Sequence, residues 1–284
     1  KMNFLKQFGF TIITSRLIGI LSVASVTPGQ AESAVIEHRI PSPYQAGDTS
    51  IRILLPDTME EGKRYRALYV LPVRPEDDER HGQGLEEVRR LDIHNQFEVI
   101  CITPAFSATP WYNNHATDPQ RQDEKHFLET VLPFVEAEYP LRQDADGRLL
   151  LGFSKSGWGA ISLLLKYPEM FGKVAVWDTG IRTDTGPLEE TDRNQRVQDF
   201  WGSAENFERY RLSNLVKIHG SKLGPETRLL YYVPVGNRAL GGARFHQFLV
   251  EKNIPHRYVF EPRRRHSWES GWMPEAVAFL FSDR

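Results

Sequence analysis

The sequence predicts an α/β fold: a mostly parallel central sheet, helices on both of its faces, and a helical insertion before the penultimate strand. Three observations carry that expectation. β-rich runs alternate with helical patterns from about residue 34 to the end. The later runs are almost continuously apolar, as strands covered on both faces must be. The first two runs alternate instead, which suits a half-buried antiparallel pair.

Taken in order, the alternating pair covers 35–40 and 50–55. Apolar strands are expected at 66–73, 97–103, 149–152, 174–177, 229–235 and 257–260. Helical periodicity appears at 85–96, 123–139, 156–167, 239–253 and 272–281. The polar stretch 181–226, which holds Phe200, Trp201, Phe207 and Tyr210, is too long for a plain loop. It should carry its own helices and pack over something, either as a lid or as an extra helical pair on the flank of the sheet.

Composition narrows the class. The chain has 284 residues, 40% hydrophobic and 25% charged, which excludes disorder, collagen and a bundle of membrane spans. A net charge of −2 with interleaved signs offers no nucleic-acid surface. Cys101 is the single cysteine, so an intrachain disulfide and a cysteine-based zinc cluster are excluded. Its apolar neighbours mark it as a small hydrophobe of a buried strand. Residues 1–31 carry Lys1, Lys6 and Arg16 with no acid, then an apolar stretch over 17–26, then Gly29 and Ala31. Those are the three parts of a secretory signal. The apolar part is shorter than the roughly 20 residues of a membrane span. A leader over 1–31 and a single domain over 32–284, secreted or periplasmic and without a stable membrane span, are therefore expected.

The strongest local pattern runs from Leu149 to Ala160: an apolar strand, then Gly152-Phe153-Ser154-Lys155-Ser156-Gly157-Trp158-Gly159, then a helix. This is a nucleophile elbow, in which a serine stands at the apex of a sharp strand-to-helix turn. The turn brings the backbones two residues either side of Ser154 together, so small side chains are needed at Gly152 and Ser156. Gly157 and Gly159 give the helix room to pack on the sheet. Ser156 stands where the usual pattern has a second glycine.

A serine hydroxyl needs a base to take its proton. His94, His126, His219 and His246 fall on polar or mixed helix faces, and His38 and His256 on strands, where solvated or partner-bonded imidazoles are ordinary. His266 differs. It follows the last expected strand and precedes the final helix, with Trp268 and Trp272 beside it to wall the ring from water.

The elbow, the late His-Ser-Trp-Glu-Ser-Gly-Trp from His266 to Trp272, and Thr109-Pro110-Trp111-Tyr112 together resemble the esterase D-like branch of the α/β-hydrolases. That branch holds feruloyl and acetylxylan esterases and mycolyltransferases, and the resemblance runs from about residue 35 to the end. It implies an α/β-hydrolase fold and a Ser-His-acid esterase without cofactor, with Ser154 as nucleophile and His266 as base.

The acid departs from the family pattern. Its usual place, after the strand at 229–235, reads Gly236-Asn237-Arg238-Ala239, with no carboxylate until Glu251. Asp178, at the end of the strand after the nucleophile helix, is the best replacement, with Glu261 and Asn237 as alternatives. The oxyanion donors would be the backbone amides of Lys155 and of Val73 or Arg74. Trp111, Tyr112, Trp158 and Trp268 are expected around the substrate, which suggests a sugar-linked or aromatic ester. Tyr112 could equally serve packing. His115 near Asp118 is too little for a metal site, and Arg263-Arg264-Arg265 suits solvent. A non-catalytic binding scaffold and an acyltransferase are the rival readings.

Overall fold

In the computed structural model the described residues are 34–75, 80–179, 191–233 and 237–282. The leader expected at 1–31 lies outside them. Ser33–Arg284 forms one compact unit. The strands are β1 (Val35–Ile40), β2 (Thr49–Leu54), β3 (Arg66–Leu71), β4 (Val99–Pro104), β5 (Arg148–Phe153), β6 (Lys173–Trp177), β7 (Leu229–Val233) and β8 (His256–Phe260). They lie in one sheet in the order β1-β2-β4-β3-β5-β6-β7-β8. β2 pairs antiparallel with β1 and β4, and every other pairing is parallel, as the hydropathy patterns predict.

The order places a reversal beside β3. The chain leaves β3 for β4 on one side and returns to β5 on the other. Ligand crevices in open α/β sheets form at such switch points, beyond the carboxyl ends of the strands. Successive side chains of each strand point to opposite faces. Ala67, Tyr69 and Leu71 of β3, with Val174 and Val176 of β6, face one core. Leu68, Val70, Ala175 and Trp177 face the other.

The second core is covered by α1 (Gly84–Arg90), α2 (Ile93–Gln96) and α10 (Met273–Phe281). The first is covered by α4 (Leu132–Glu138), α5 (Lys155–Lys166), α7 (Ala204–Tyr210), α8 (Leu212–His219) and α9 (Asn237–Glu251). With α6 (Thr191–Trp201), the helices α7 and α8 make up the described part of the insertion expected at 181–226; 180–190 lie outside the described residues.

Three expectations change in detail. The helix read at 85–96 is two, because Asp92 adopts φ 55° between them. The helix read at 123–139 opens with α3 (Asp123–Lys125) and widens to a π-helix over His126–Val131 before α4. Pro133 sits in the first turn of α4 and has no amide to donate to Glu129, so a regular ladder could not run through. β8, read as covered on both faces, is an edge strand, and Phe260 is 51% exposed. Cys101 is fully buried in β4, and burial pushes its thiol well up. No helix among the described residues is long and apolar enough to cross a membrane.

Candidate active site

β5 ends at Phe153 and α5 begins at Lys155, which leaves Ser154 alone at the turn with φ 54° and ψ −120°. A non-glycine residue held there is strained by roughly 1–3 kcal/mol, a cost that the surrounding contacts must offset. Gly152 shows why the approach is so close: a Cβ on it would lie 2.7 Å from the Gly157 Cα and from the Ser156 carbonyl oxygen. Ser156 fits because its hydroxyl is used inside the turn. It donates to the Phe153 carbonyl at 2.9 Å and accepts from the Phe153 amide at 2.9 Å. The Ser154 amide donates to the Trp177 carbonyl at 2.9 Å, tying the apex to β6.

Phe153 and Trp177 are partners in register, so Ser154 and Asp178 each follow directly on neighbouring strands. Asp178 has φ 46°, and its amide donates to the Tyr232 carbonyl at 3.1 Å. Its side chain is 2% exposed, and its Oδ2 lies 2.5 Å from His266 Nδ1. A carboxylate accepts, so the proton belongs on Nδ1 and Nε2 is the basic nitrogen of the neutral ring. The His266 ring is 22% exposed and packs 4.4 Å from the ring of Phe153, the residue before Ser154. Serine, histidine and aspartate thus gather at the ends of β5 and β6.

The histidine loop is fastened from several sides. Trp177 Nε1 donates to the Arg265 carbonyl at 3.1 Å, and Trp272 Nε1 donates to the Ser267 carbonyl at 3.2 Å. Trp268 packs at a tilt 5.4 Å from Phe153 and stacks 5.5 Å from Trp272. The Trp268 amide and the Ser267 hydroxyl both donate to the His81 carbonyl, at 3.0 Å each. Sequence reasoning missed His81, whose ring meets that of His266 edge to face at 4.9 Å. Its only local signal is the His81-Gly82-Gln83-Gly84 run ahead of a helix.

The alternative acids fare differently. Glu261 accepts from the Arg263 amide at 3.3 Å, within its own turn. Asn237 opens α9, and its side chain lies outside the description.

The aromatic residues expected around a substrate divide. Tyr112 is 0% exposed and Trp158 is 1% exposed, so neither is a substrate wall. Tyr112 is a brace: its hydroxyl donates at 2.8 Å to the carbonyl of Pro72, beside Val73 and Arg74. Gly159 makes room for it, since a Cβ there would lie 2.2 Å from the Tyr112 ring. That glycine therefore serves the tyrosine rather than the sheet. Trp158 packs with Trp111 and Trp201, at 5.7 and 6.1 Å. Trp111 is half-buried in the same cluster, 5.0 Å from Trp201.

Hydrogen bonds dock α6 and α7 on the 111–116 segment. The Ala116 amide donates to the Trp201 carbonyl at 2.9 Å, and the Asn206 side chain to the Asn114 carbonyl at 2.7 Å. His115 bridges to the Gln198 carbonyl and accepts from the Asp118 amide at 3.1 Å, an architectural role. Asp123 accepts from the Trp111 amide at 3.1 Å, and burial pushes its carboxyl up to about 6.

Beside the loop after β3 lies a cavity of about 390 Å³. Val73, Arg74, His81, Leu85 and Trp268 are among its lining residues. Lys155 opens α5, so its amide points along the helix axis toward the strand ends, as an oxyanion donor would.

Comparison with known proteins identifies the family and the fold. The model of the family described as "Putative esterase" matches residues 42–241. Esterase Rv1288 of Mycobacterium tuberculosis (strain H37Rv) is 27% identical over 136 residues; the match covers 44% of this chain and only 28% of that relative. Among solved structures, FphF, a fluorophosphonate-binding serine hydrolase of Staphylococcus aureus, superposes with TM-score 0.70 at 16% identity. It covers 88% of this chain and 99% of its own. A ferulic acid esterase superposes with TM-score 0.67 at 17% identity, covering 88% and 97%. The structural likenesses establish the α/β-hydrolase fold. With the family match spanning most of the sheet, the elbow and the aspartate, this chain belongs to the "Putative esterase" family.

Proposed function

We propose that this chain hydrolyses carboxylic esters, with a Ser154–His266–Asp178 triad acting through an acyl-enzyme. The observation that carries this reading is the 2.5 Å contact between His266 Nδ1 and the buried Asp178 carboxylate, next to a strained serine on the adjoining strand. In this scheme His266 Nε2 takes the Ser154 proton as Oγ attacks the ester carbonyl. Asp178 holds the tautomer and steadies the imidazolium. The negative charge moves onto the carbonyl oxygen, which the Lys155 amide and the amide of Val73 or Arg74 receive. His266 returns the proton to the departing alcohol. Water, deprotonated by the same nitrogen, then releases the acid and restores Ser154. No cofactor enters any step.

For the substrate we infer a small sugar-linked or aromatic ester, its acyl part held against Trp268 in the cavity beside the loop after β3. The cavity volume and the likeness to a ferulic acid esterase support that choice. Export by a leader over 1–31, to the periplasm or beyond, rests on the sequence pattern.

Fluorophosphonate labelling followed by peptide mapping tests the nucleophile: the adduct should sit on Ser154. Ser154→Ala should lower turnover of p-nitrophenyl acetate by at least about 10³-fold. Equal rates in the variant and the wild type would refute the assignment.

A further inference from the structure

We propose that His81 is a positioning residue for His266, a role that rests on His266 being the general base. Two kinds of contact converge on it. Its carbonyl receives both the Ser267 hydroxyl and the Trp268 amide, at 3.0 Å each, so the segment before α1 clamps the two residues after His266. Its ring stands edge to face against the His266 ring, with centroids 4.9 Å apart and planes at 81°. The Phe153 ring packs on the His266 ring from 4.4 Å and lies 6.0 Å from His81.

Among the contacts that hold His266 are a hydrogen bond at Nδ1 and the rings of His81 and Phe153. A hydrogen bond to one carboxylate oxygen leaves the imidazole able to swing about that contact. A perpendicular ring on its flank closes off that swing, and Nε2 stays aimed at the serine. Such edge-to-face contacts favour one ring orientation over its alternatives, which is enough to bias a rotamer. The position of His81 is built into the backbone. A Cβ on Gly84 would lie 2.6 Å from Val70 Cγ1 and 3.0 Å from the Trp268 ring, so only glycine lets this segment lie flush against the histidine loop.

The carbonyl clamp survives substitution of His81, whereas the ring contact does not. His81→Ala should therefore lower kcat about tenfold while KM stays within twofold, since misaiming a base affects the chemical step. His81→Phe, which keeps a ring, should recover most of kcat. The low-field proton resonance of His266 Nδ1 should shift or broaden in His81→Ala and return in His81→Phe. Should His81→Ala lose its fold, His81→Asn carries the same test. Ser154→Ala is the control for the triad. If it stays active, the base assignment falls and the role of His81 with it. If it is inactive while the ring-less His81 variant keeps wild-type kcat and an unchanged resonance, the role of His81 alone is overturned. A rise in KM alone also overturns it, because His81 would then be a wall of the cavity.

Discussion

Two histidines of this chain carry opposite instructions. His266 lies at the strand ends, 22% exposed, with a buried carboxylate on Nδ1. His126 begins the π-helical turn and is 0% exposed. Its partners are neutral: the Ser42 hydroxyl at 2.9 Å and the Ala105 carbonyl at 3.1 Å. Burial without a counter-charge pushes the pKa of His126 down to about 4. A side chain of one chemistry is thus kept neutral as a structural bridge in one place and hydrogen-bonded to a buried carboxylate in the other. The nature of the partner and the access of solvent decide which, more than the imidazole itself.

Removing the charge from the carboxylate that His266 Nδ1 meets should give the largest effect. Asp178→Asn should lower kcat by about 10²–10⁴-fold, because the wrong tautomer is favoured and the imidazolium loses its counter-charge. Asparagine tolerates the φ of 46° at this position, so the backbone should survive. Glu261→Gln should change kcat by less than about twofold, as its carboxylate serves its own turn. If the two variants exchanged these results, Asp178 would not be the acid.

At the other histidine the effect should be on stability and not on rate. His126→Ala should cost about 1–3 kcal/mol in denaturant unfolding, because it takes the imidazole partner from the buried Ala105 carbonyl. Because the folded pKa of His126 lies below its unfolded value, the unfolded chain binds more protons between about pH 6.5 and 4. Its contribution is complete above that window and is lost as pH falls through it. Asp123 acts in reverse: its folded pKa is raised to about 6, so its burial penalty grows as pH rises from about 4 to 6. Unfolding free energies of His126→Gln should therefore lose the acid-side decline, and those of Asp123→Asn should steepen it. A His126→Gln curve parallel to the wild type would remove His126 from this account.

The smallest expected change concerns two serines in one turn. Ser156→Gly keeps the elbow geometry but deletes both bonds to Phe153, and should cost about 1 kcal/mol in unfolding while leaving Ser154 reactive to fluorophosphonate. Loss of labelling in that variant would mean that Ser156 helps hold the apex itself.

Local patterns were enough for the frame. Apolar runs, their alternation and the helical periods depend on neighbours within one element, and so does the small-residue spacing around Ser154. The strands and the elbow were accordingly legible, apart from exact strand ends and the edge position of β8. Asp178 could be named as the best acid because it follows a strand adjoining the nucleophile, yet its contact with His266 joins residues 88 positions apart. Other assignments needed the folded chain. His126 reads as a histidine on a mixed helix face and is buried. Tyr112 and Trp158 read as substrate walls and are braces and packing. For His81 the glycine run ahead of a helix was too little to name a role, because its hold on the Ser267 loop spans 186 positions. Periodicity reports which side of an element is covered, whereas the identity of the covering atom depends on where strands and loops distant in the chain come together.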